Sequence, residues 1–404
     1  MQIYKKNQKG STFLLSIFFL LFIAQASCKN KDNEKSILNS VITVDLSFSK
    51  ENYNEASLAS FADSIWHVTL EENDSVFLSK KLSVFNKKEK IYILDNSFGQ
   101  VYVYSQTGRL IRRIGKKGDA PYEYKNPTSL VVNSFGDIIV LDNSGRKLIF
   151  YDSVGNYNKY IPLTDNYPVK VFLFNDNQIL LCSPSNGKTD DHIPEFVTID
   201  TNGKRTGLLN IEGKYLQRRL LNASYSVFDD SLSFWQKSND TLFHISNNLV
   251  LTPTHVLFDK DLMPKEKMLM EEDRHLKDFS VIDGLYETDS FIIIHGIAFR
   301  NIPLYMIYEK NTNKIFNVRS GVKSFPIAFT NDLDHGPPFW PTGQINKNIF
   351  YSVVNSSVFL EMYKESKKSG LKIVNNKHLD NVLEAFISTV PNDESLILTF
   401  VKFK

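Results

Sequence analysis

The heptapeptide IYILDNS at residues 91–97 recurs as IIVLDNS at residues 138–144, an offset of 47 residues. The match extends beyond this motif, because VYVY at 101–104 falls on LIFY at 148–151 at the same offset. Each copy reads as an apolar strand, an Asp-Asn-Ser turn and a second apolar strand. A fixed period of about 20 to 50 residues is the signature of a repeat architecture. The chain is therefore predicted to be built from repeated β units.

The repeat continues more weakly along the chain. The turn glycine Gly108 falls on Gly155, and FVTIDTNG at 196–203 repeats the last hairpin at an offset of 48 residues. Degenerate copies follow at 232–244, 291–308 and 349–354. A unit of this length with four short strands has the size of a propeller blade. The sequence thus predicts an all-β fold, a six-bladed β-propeller of four-stranded antiparallel blades.

The number of blades depends on how two helical stretches are interpreted. Division of residues 58–404 by the period gives about seven units, so a seven-bladed ring is the alternative. Six is preferred because 264–277 and 376–386 carry helix formers or apolar residues at helical spacing, which favours short helical insertions. We expect the ring to close by pairing residues 396–403 with an N-terminal strand, either 65–70 or 41–48.

Composition excludes several classes of protein. The 404 residues are 42% hydrophobic, 23% charged and 13% aromatic, which is typical of a folded globular chain. A formal net charge of +2 gives no global attraction to nucleic acid, and two cysteines exclude a disulfide framework. Residues 1–27 hold three lysines and no acidic residue, so their removal changes the net charge from +2 to −1.

The N-terminus reads as an export signal. Three lysines precede an apolar run at 13–24, and this run of 12 residues is too short to span a membrane as a helix. The following Ala26-Ser27-Cys28 resembles a bacterial lipobox, in which Cys28 carries the lipid. Gln25 departs from the usual aliphatic residue, and cleavage after Ala26 by ordinary signal peptidase is the alternative, which would release a soluble periplasmic or secreted protein.

Three regions are predicted from these features. Residues 1–27 form the lipoprotein signal peptide, residues 28–57 a flexible tether with a lead-in strand, and residues 58–404 a single propeller domain. The expected location is the cell envelope, as an outer-membrane lipoprotein that can be exposed at the cell surface. The protein then meets the membrane only through its N-terminal lipid, and we expect a monomer.

Residues 108–118, GRLIRRIGKKG, resemble the repeat of NHL-type propellers, in which a glycine-rich connection leads from one blade to the next. Together with NDLDHGPPFWP at 331–341 and the C-terminal strand 396–403, they make the chain similar to six-bladed β-propeller lipoproteins of Bacteroidetes. These motifs mark the fold, and the resemblance implies architecture and location rather than a reaction.

The segment around Asp332 is the strongest candidate for a ligand site. Asp332, Asp334 and His335 offer polar groups, and Phe339 and Trp340 offer rings on which a ligand could stack. The alternative is a stiff turn between blades with its aromatic rings in the core. A divalent cation in the central channel is conceivable, but one cluster is a weak metal signal, and neither a cofactor nor a metal ligand set is predicted.

Other candidate residues favour structural roles. Asp95 and Asp142 end equivalent strands and are expected to cap their own turns. The basic cluster at Arg109, Arg112, Arg113, Lys116 and Lys117 alternates with apolar residues as a solvated strand does, so no nucleic-acid partner is expected. Cys182 reads as a buried side chain. No linear motif for nucleophilic catalysis is present in the sequence.

Two classes of function are compatible with these features. The preferred hypothesis is a binding or protein-interaction module that uses propeller loops to hold a glycan, a peptide or an envelope protein. The alternative is a hydrolase or lyase resembling lactonases or glycosidases, with a site assembled in the channel from several blades. Such a site leaves no linear motif, so the sequence leaves enzymatic activity open and favours binding.

Overall fold

The computed structural model describes residues 41–47, 56–163, 168–183, 196–209, 223–228, 231–236, 240–262, 279–298, 302–319, 327–368, 377–391 and 394–404. These residues form six small antiparallel sheets arranged as the blades of a β-propeller. The prediction of a six-bladed ring is confirmed, and the seven-bladed alternative is wrong. The lipidation candidate Cys28 and the predicted helix at 264–277 lie outside the described residues.

Each blade has four antiparallel strands, which are named here in their order within the sheet, from the strand beside the channel to the strand at the outer edge. The strands are, for blade 1, β3 (Leu82–Lys87), β4 (Lys90–Asp95), β5 (Gln100–Ser105) and β6 (Leu110–Ile114); for blade 2, β7 (Pro127–Val132), β8 (Ile138–Asp142), β9 (Lys147–Tyr151) and β10 (Tyr157–Pro162); for blade 3, β11 (Lys170–Asn175), β12 (Gln178–Cys182), β13 (Phe196–Ile199) and β14 (Arg205–Leu209); for blade 4, β15 (Ala223–Val227), β16 (Ser231–Gln236), β17 (Thr241–Ser246) and β18 (Leu251–Phe258); for blade 5, β19 (Val281–Glu287), β20 (Phe291–Ala298), β21 (Ile302–Glu309) and β22 (Lys314–Asn317); and for blade 6, β23 (Gly343–Gln344), β24 (Ile349–Asn355), β25 (Leu396–Phe403) and β2 (Ala62–Thr69).

The ring closes in blade 6, where chain start and chain end meet. The outermost strand β2 pairs with β25 in antiparallel register, so that Trp66 lies opposite Phe400. Of the two strands predicted to close the ring, the one at 65–70 does so. The other, β1 (Ile42–Asp45), pairs in parallel with β18 and adds a fifth strand to blade 4. Both N-terminal strands therefore cover sheet edges that would otherwise be open.

The core lies between neighbouring blades because each blade is apolar on both faces. Strands β4 and β8 are almost continuous runs of buried residues, as the repeated heptapeptide predicts. One cluster joins blade 1 to blade 2 through side chains such as Leu94 and Ile149, and another joins blade 4 to blade 5 through Trp235 and Met306. Burial of such surface is the main stabilising contribution to the ring.

The turn glycines of the repeat have a specific conformational role. Gly108, Gly155 and Gly203 all have positive φ angles, of 82°, 89° and 86°. A Cβ atom at Gly108 would also lie 1.9 Å from the backbone oxygen of Thr69 in the preceding blade. Glycine at this position therefore permits both the turn and the close approach of adjacent blades.

Among the described residues, three helices accompany the strands: α1 (Leu58–Phe61), α2 (Ser356–Lys368) and α3 (Lys377–Ile387). Helix α3 confirms the predicted helical insertion at 376–386, whereas α2 was not predicted. Helices α2 and α3 lie in the connection between β24 and β25, and their residues Phe359, Leu383 and Phe386 form a small cluster with Ile397. None of the helices in the described part of the chain is long and apolar enough to cross a membrane.

Candidate functional site

The two faces of the ring differ in the length of the segments that join the strands. On one face, here called the turn face, strands within a blade are joined by two to five residues. On the other face, here called the connection face, segments of seven to 25 residues lead from the outer strand of one blade to the inner strand of the next. The connection face also carries the α2–α3 insertion. Long segments on a rigid scaffold are where proteins place their binding groups.

Buried carboxylates hold two of these segments in place. Asp95 accepts hydrogen bonds from the amides of Ser97 and Phe98 in its own turn, both at 2.9 Å. It also accepts from the amide and the hydroxyl of Ser79, at 2.6 and 2.8 Å, in the segment that enters the blade. The predicted capping role is confirmed, and the structure adds a second one, because the same carboxylate joins the turn to the connection.

Asp142 repeats this arrangement in blade 2. Its carboxylate accepts from the amides of Lys125 and Asn126, at 2.9 and 2.8 Å, and from Gly145 in its own turn at 3.1 Å. Both aspartates are fully buried. A buried carboxylate with three or more donors is costly to remove, so these two residues fix the shape of the connection face in blades 1 and 2.

The predicted ligand residues Asp332 and Asp334 lie in the connection from β22 to β23. Asp332 is buried and accepts from the amide of Ala59 at 2.9 Å and from the Ser57 hydroxyl, which ties the loop to the start of α1. Asp334 is also buried, and its Oδ2 lies 2.8 Å from Nε2 of His67. Both carboxylates therefore have partners inside the protein, and ligand contact by these two residues stays a prediction.

His335 brings the loop into contact with the helical insertion. Its backbone has a φ of 62°, and its Nδ1 lies 3.1 Å from Oδ1 of Asp380 in α3. Lys367 of α2 donates to the same carboxylate at 2.9 Å and to Glu384 at 3.1 Å. Burial alone would lower the pKa of Lys367, but the two carboxylates outweigh this and raise it. The loop is thus fastened to both helices through a charged cluster at their surface.

The aromatic residues of the loop face inwards. Phe339 is fully buried, and its backbone pairs with that of Phe329. Trp340 is half-buried, stacks on Phe329 with centroids 5.7 Å apart, and meets Tyr305 edge-on at 4.5 Å. The structure therefore brings all five predicted residues onto one loop, but it points Phe339 into the core and leaves Trp340 beside blade 5.

A polar cluster that the sequence did not indicate lies on the turn face, between blades 4 and 5. Glu287 is fully buried, and it accepts from Lys310 at 2.6 Å and from the hydroxyl of Ser233, while His244 Nε2 lies 2.9 Å away. Burial alone would raise the pKa of Glu287, but the hydrogen bonds with His244 and Lys310 lower it to about 2. Burial lowers the pKa of nearby His255 to about 4.

The remaining predicted residues have ordinary environments. Arg112 donates to the carbonyl of Val154, and Lys116 pairs with Glu123 at 3.0 Å, so the basic cluster is partly engaged in holding blades 1 and 2. Cys182 is buried in β12. Within the described ranges, no group of three or more His, Cys, Asp or Glu side chains is arranged to hold a metal ion.

Comparison with known proteins gives the family. The sequence model of one protein family, the domain of unknown function DUF4934, matches residues 40–390. The chain belongs to the DUF4934 family. This DUF4934 protein is also 26% identical over 271 residues to human NHL repeat-containing protein 3, a match that covers 64% of the chain and 67% of the human protein. The NHL-like character expected from the glycine-rich repeat is therefore supported.

Two solved structures resemble the DUF4934 protein in fold. A protein of Bacteroides fragilis NCTC 9343 that is thought to be exported matches with a TM-score of 0.66 and 16% identity, over 90% of this chain and 99% of that one. A member of the DUF4221 family from Bacteroides vulgatus matches with a TM-score of 0.51 and 12% identity, over 87% and 99%. At these identities the likeness concerns the fold alone.

Proposed function

We propose that this DUF4934 protein is a binding module of the bacterial cell envelope and that its connection face holds the ligand. The observation that carries this proposal is the pinning of the long segments by buried Asp95 and Asp142. A scaffold in which buried carboxylates fix the conformation of the surface loops is suited to presenting a preorganised binding surface.

The pinned segments carry exposed aromatic rings. Phe77 is 65% exposed in the segment that leads into blade 1, and Phe98 is 48% exposed in the turn that Asp95 caps. Tyr122 is 46% exposed in the segment that leads into blade 2. Exposed aromatic side chains on rigid backbone are typical anchors for sugars and for protein partners, because they offer large contact area with little loss of side-chain entropy.

Binding is tested with a matched pair of variants. Glycan and peptide panels are screened against residues 29–404 by thermal shift, and the ligands found are titrated by calorimetry. The double variant Phe77→Ala/Phe98→Ala should weaken binding at least tenfold. Phe135→Ala is the control, because Phe135 is 66% exposed on the turn face. Equal affinity of both variants and the wild type would place the ligand elsewhere and refute the proposed face.

We further propose that the protein is anchored to the outer membrane through a lipid on Cys28. The lipobox-like AlaSerCys sequence and the polar stretch that follows it support this location. Expression of the full chain with a clickable palmitate should label the wild type and not Cys28→Ser, which should move to the soluble fraction. Labelling of both proteins, or of neither, would contradict the anchor without affecting the proposed binding face.

A further inference from the structure

Blade 5 has an unusual composition on the side that faces blade 6. Towards blade 4, strands β20 and β21 fill the seam with Ile292, Ile294, Leu304, Met306 and the ring of Tyr308. On the opposite side of the same strands, His295 and Tyr305 take positions that an interior seam would give to aliphatic residues. Both side chains are half-buried, so their polar atoms lie beside the apolar cluster against which Tyr305 packs.

Four rings follow one another from the loop to the inner strand, and we call them the ring row. The distance between ring centroids is 4.5 Å from Trp340 to Tyr305, 6.5 Å from Tyr305 to His295 and 6.3 Å from His295 to Tyr286. All four side chains are half-buried. The row therefore connects the predicted loop on the connection face with β19, the strand that lines the channel.

The inner strand is shaped to admit the imidazole of this row. A bulge interrupts the pairing of β19 with β20 between Ile282 and Gly284. A Cβ atom on Gly284 would lie 2.6 Å from Cε1 of His295 and 3.3 Å from the hydroxyl of Ser224 in blade 4. Only glycine leaves room for the ring to lie across the strand here, and bulges with glycine commonly aim a side chain at a functional site.

The chemistry of the row suits a polyhydroxylated ligand. Burial raises the pKa of Tyr286 to about 12, and burial together with Asp283 raises the pKa of Tyr305, so both phenols keep their protons at neutral pH. Phenols donate and accept hydrogen bonds, and so does an imidazole, while the carboxylate of Asp283 accepts them. The rings of Trp340 and Tyr305 supply apolar surface beside these polar groups.

We propose that the ring row, with Asp283 and Gly284, binds a neutral sugar residue of a glycan. This inference rests on the proposed binding function and names its ligand class. A neutral sugar is favoured because the row contains one carboxylate and no lysine or arginine to balance an acidic sugar. A pyranose offers an apolar ring face to Trp340 and Tyr305 and a rim of hydroxyl groups to the phenols, the imidazole and the carboxylate.

The test compares two tyrosines of strand β21. Tyr305 faces blade 6 within the row, whereas Tyr308 packs into the seam with blade 4, where its hydroxyl donates to Asn313 at 2.7 Å. Residues 29–404 are titrated by calorimetry with cellobiose, lactose, maltose, mannobiose and chitobiose. We expect one of these neutral disaccharides to bind and Tyr305→Phe to weaken it by about tenfold, as loss of one hydrogen bond predicts. Tyr308→Phe should bind as the wild type does.

Tryptophan fluorescence is a second readout, which separates loss of the sugar contact from loss of the fold. The bound sugar should change the tryptophan fluorescence of the wild type and of Tyr308→Phe, but not of Trp340→Phe, although Trp66 and Trp235 remain there. Binding of a disaccharide that both tyrosine variants and Trp340→Phe retain would overturn the ring row. If Phe77→Ala/Phe98→Ala then abolishes that binding, the proposed function stands without this subsite.

Failure to bind any of the disaccharides also overturns the inference. The proposed function is then judged separately, because the connection face is tested with peptide and glycan ligands of every class. Binding of uronic acid disaccharides in place of the neutral ones would likewise contradict the proposed ligand class. A peptide ligand that depends on Phe77 and Phe98 would uphold the binding face and reject a sugar subsite.

Discussion

Glu287 shows how a single buried charge organises the turn face. Its carboxylate lies inside the seam between blades 4 and 5, where it pairs with Lys310 at 2.6 Å and lies 2.9 Å from Nε2 of His244. Removal of one partner from a buried ionic cluster leaves the others desolvated and uncompensated. The cluster therefore joins two blades, because Ser233 and His244 of blade 4 contact a carboxylate of blade 5.

Replacement of this carboxylate should be strongly destabilising. We expect Glu287→Gln to lower the free energy of unfolding by about 3 kcal/mol, because Lys310 would keep its charge without the counter-charge of the carboxylate. Glu309→Gln on β21 is the control, since the side chain of Glu309 accepts an exposed hydrogen bond from Thr312. Urea unfolding measures the free energy of unfolding of both variants. Equal values would show that the charge of Glu287 makes no net contribution to stability.

His255 makes stability depend on pH. Burial holds the pKa of His255 near 4 in the fold, against about 6.5 in the unfolded chain, and the ionisable groups around it are Glu287, Lys310 and His244. As pH falls below about 6.5, the unfolded state binds a proton that the folded state does not bind until about pH 4, so the free energy of unfolding decreases, by about 3 kcal/mol. The melting temperature should fall over this range, and His255→Phe should flatten the profile. An unchanged profile in the variant would refute this role.

Asp95 tests the pinning of the connection face at the residue scale. Asp95→Ala would leave the amides of Ser79, Ser97 and Phe98 without an acceptor, and we expect a loss of about 3 kcal/mol. Asp200→Ala is the matched control, because Asp200 accepts from the amides of Asn202 and Lys204 in its own turn on the turn face. Its expected loss is about 1 kcal/mol. If thermal or urea unfolding gave the same loss of free energy for both variants, the hydrogen bonds between Asp95 and Ser79 would make no contribution to stability.

At the scale of elements, the loop around Asp334 depends on its surroundings for its shape. Asp334 accepts from the side chain of Asn331 at 2.7 Å and from the amide of Gly336 at 2.8 Å, and Ser366 of α2 donates to the carbonyl of Gly336 at 3.1 Å. The segment is thus held from inside by a carboxylate and from outside by a helix. This explains why a loop rich in proline and charge is so deeply buried.

Asp334→Ala separates the structural from the ligand-binding interpretation of this loop. We expect hydrogen exchange of the amides at 331–340 to increase, because the residue that organises the loop is lost. Ligand affinity then falls through loss of order. A variant that loses ligand binding while exchange stays as in the wild type would instead show that Asp334 touches the ligand, as the sequence predicted.

The sequence predicted elements best where they repeat. The match between Ile91–Ser97 and Ile138–Ser144 fixed strand, turn and capping residue together, because the same contacts recur in each copy. Helix α2 was missed, since its buried residues Phe359, Met362 and Ser366 follow a β-branched strand without a break. The ring row and the Glu287 cluster were also missed, because their members come from separate strands with no shared spacing. Only glycine within the strand VIDGLYE gave a local signal of the bulge at Gly284.

At the scale of the whole molecule, the strand β25 joins the two ends of the chain. It pairs with β24 on one side and with β2 on the other, and six of its apolar side chains are buried. Each such side chain contributes about 1.5 to 3 kcal/mol, so their sum is comparable to the total stability of a domain, about 5 to 15 kcal/mol. The ring cannot lose this strand and stay closed.

Deletion of residues 392–404 should therefore unfold the propeller. We expect the truncated protein to lose its cooperative melting transition and its near-ultraviolet circular dichroism. A protein that begins at Val41 and keeps its C-terminus is the control, and it should melt as the full mature chain does. A truncated protein with an unchanged melting transition would contradict the closure of the ring through β2 and β25.

The most direct test of the account is the footprint of a bound ligand by hydrogen exchange. We predict that binding protects amides of the connection face, in the segments 70–81, 96–99 and 115–126, and in 331–342 if the ligand is a neutral glycan. The turns at 88–89, 133–137 and 152–156 on the turn face should exchange as in the free protein. Protection confined to those turns would contradict the central claim that the connection face is the binding surface.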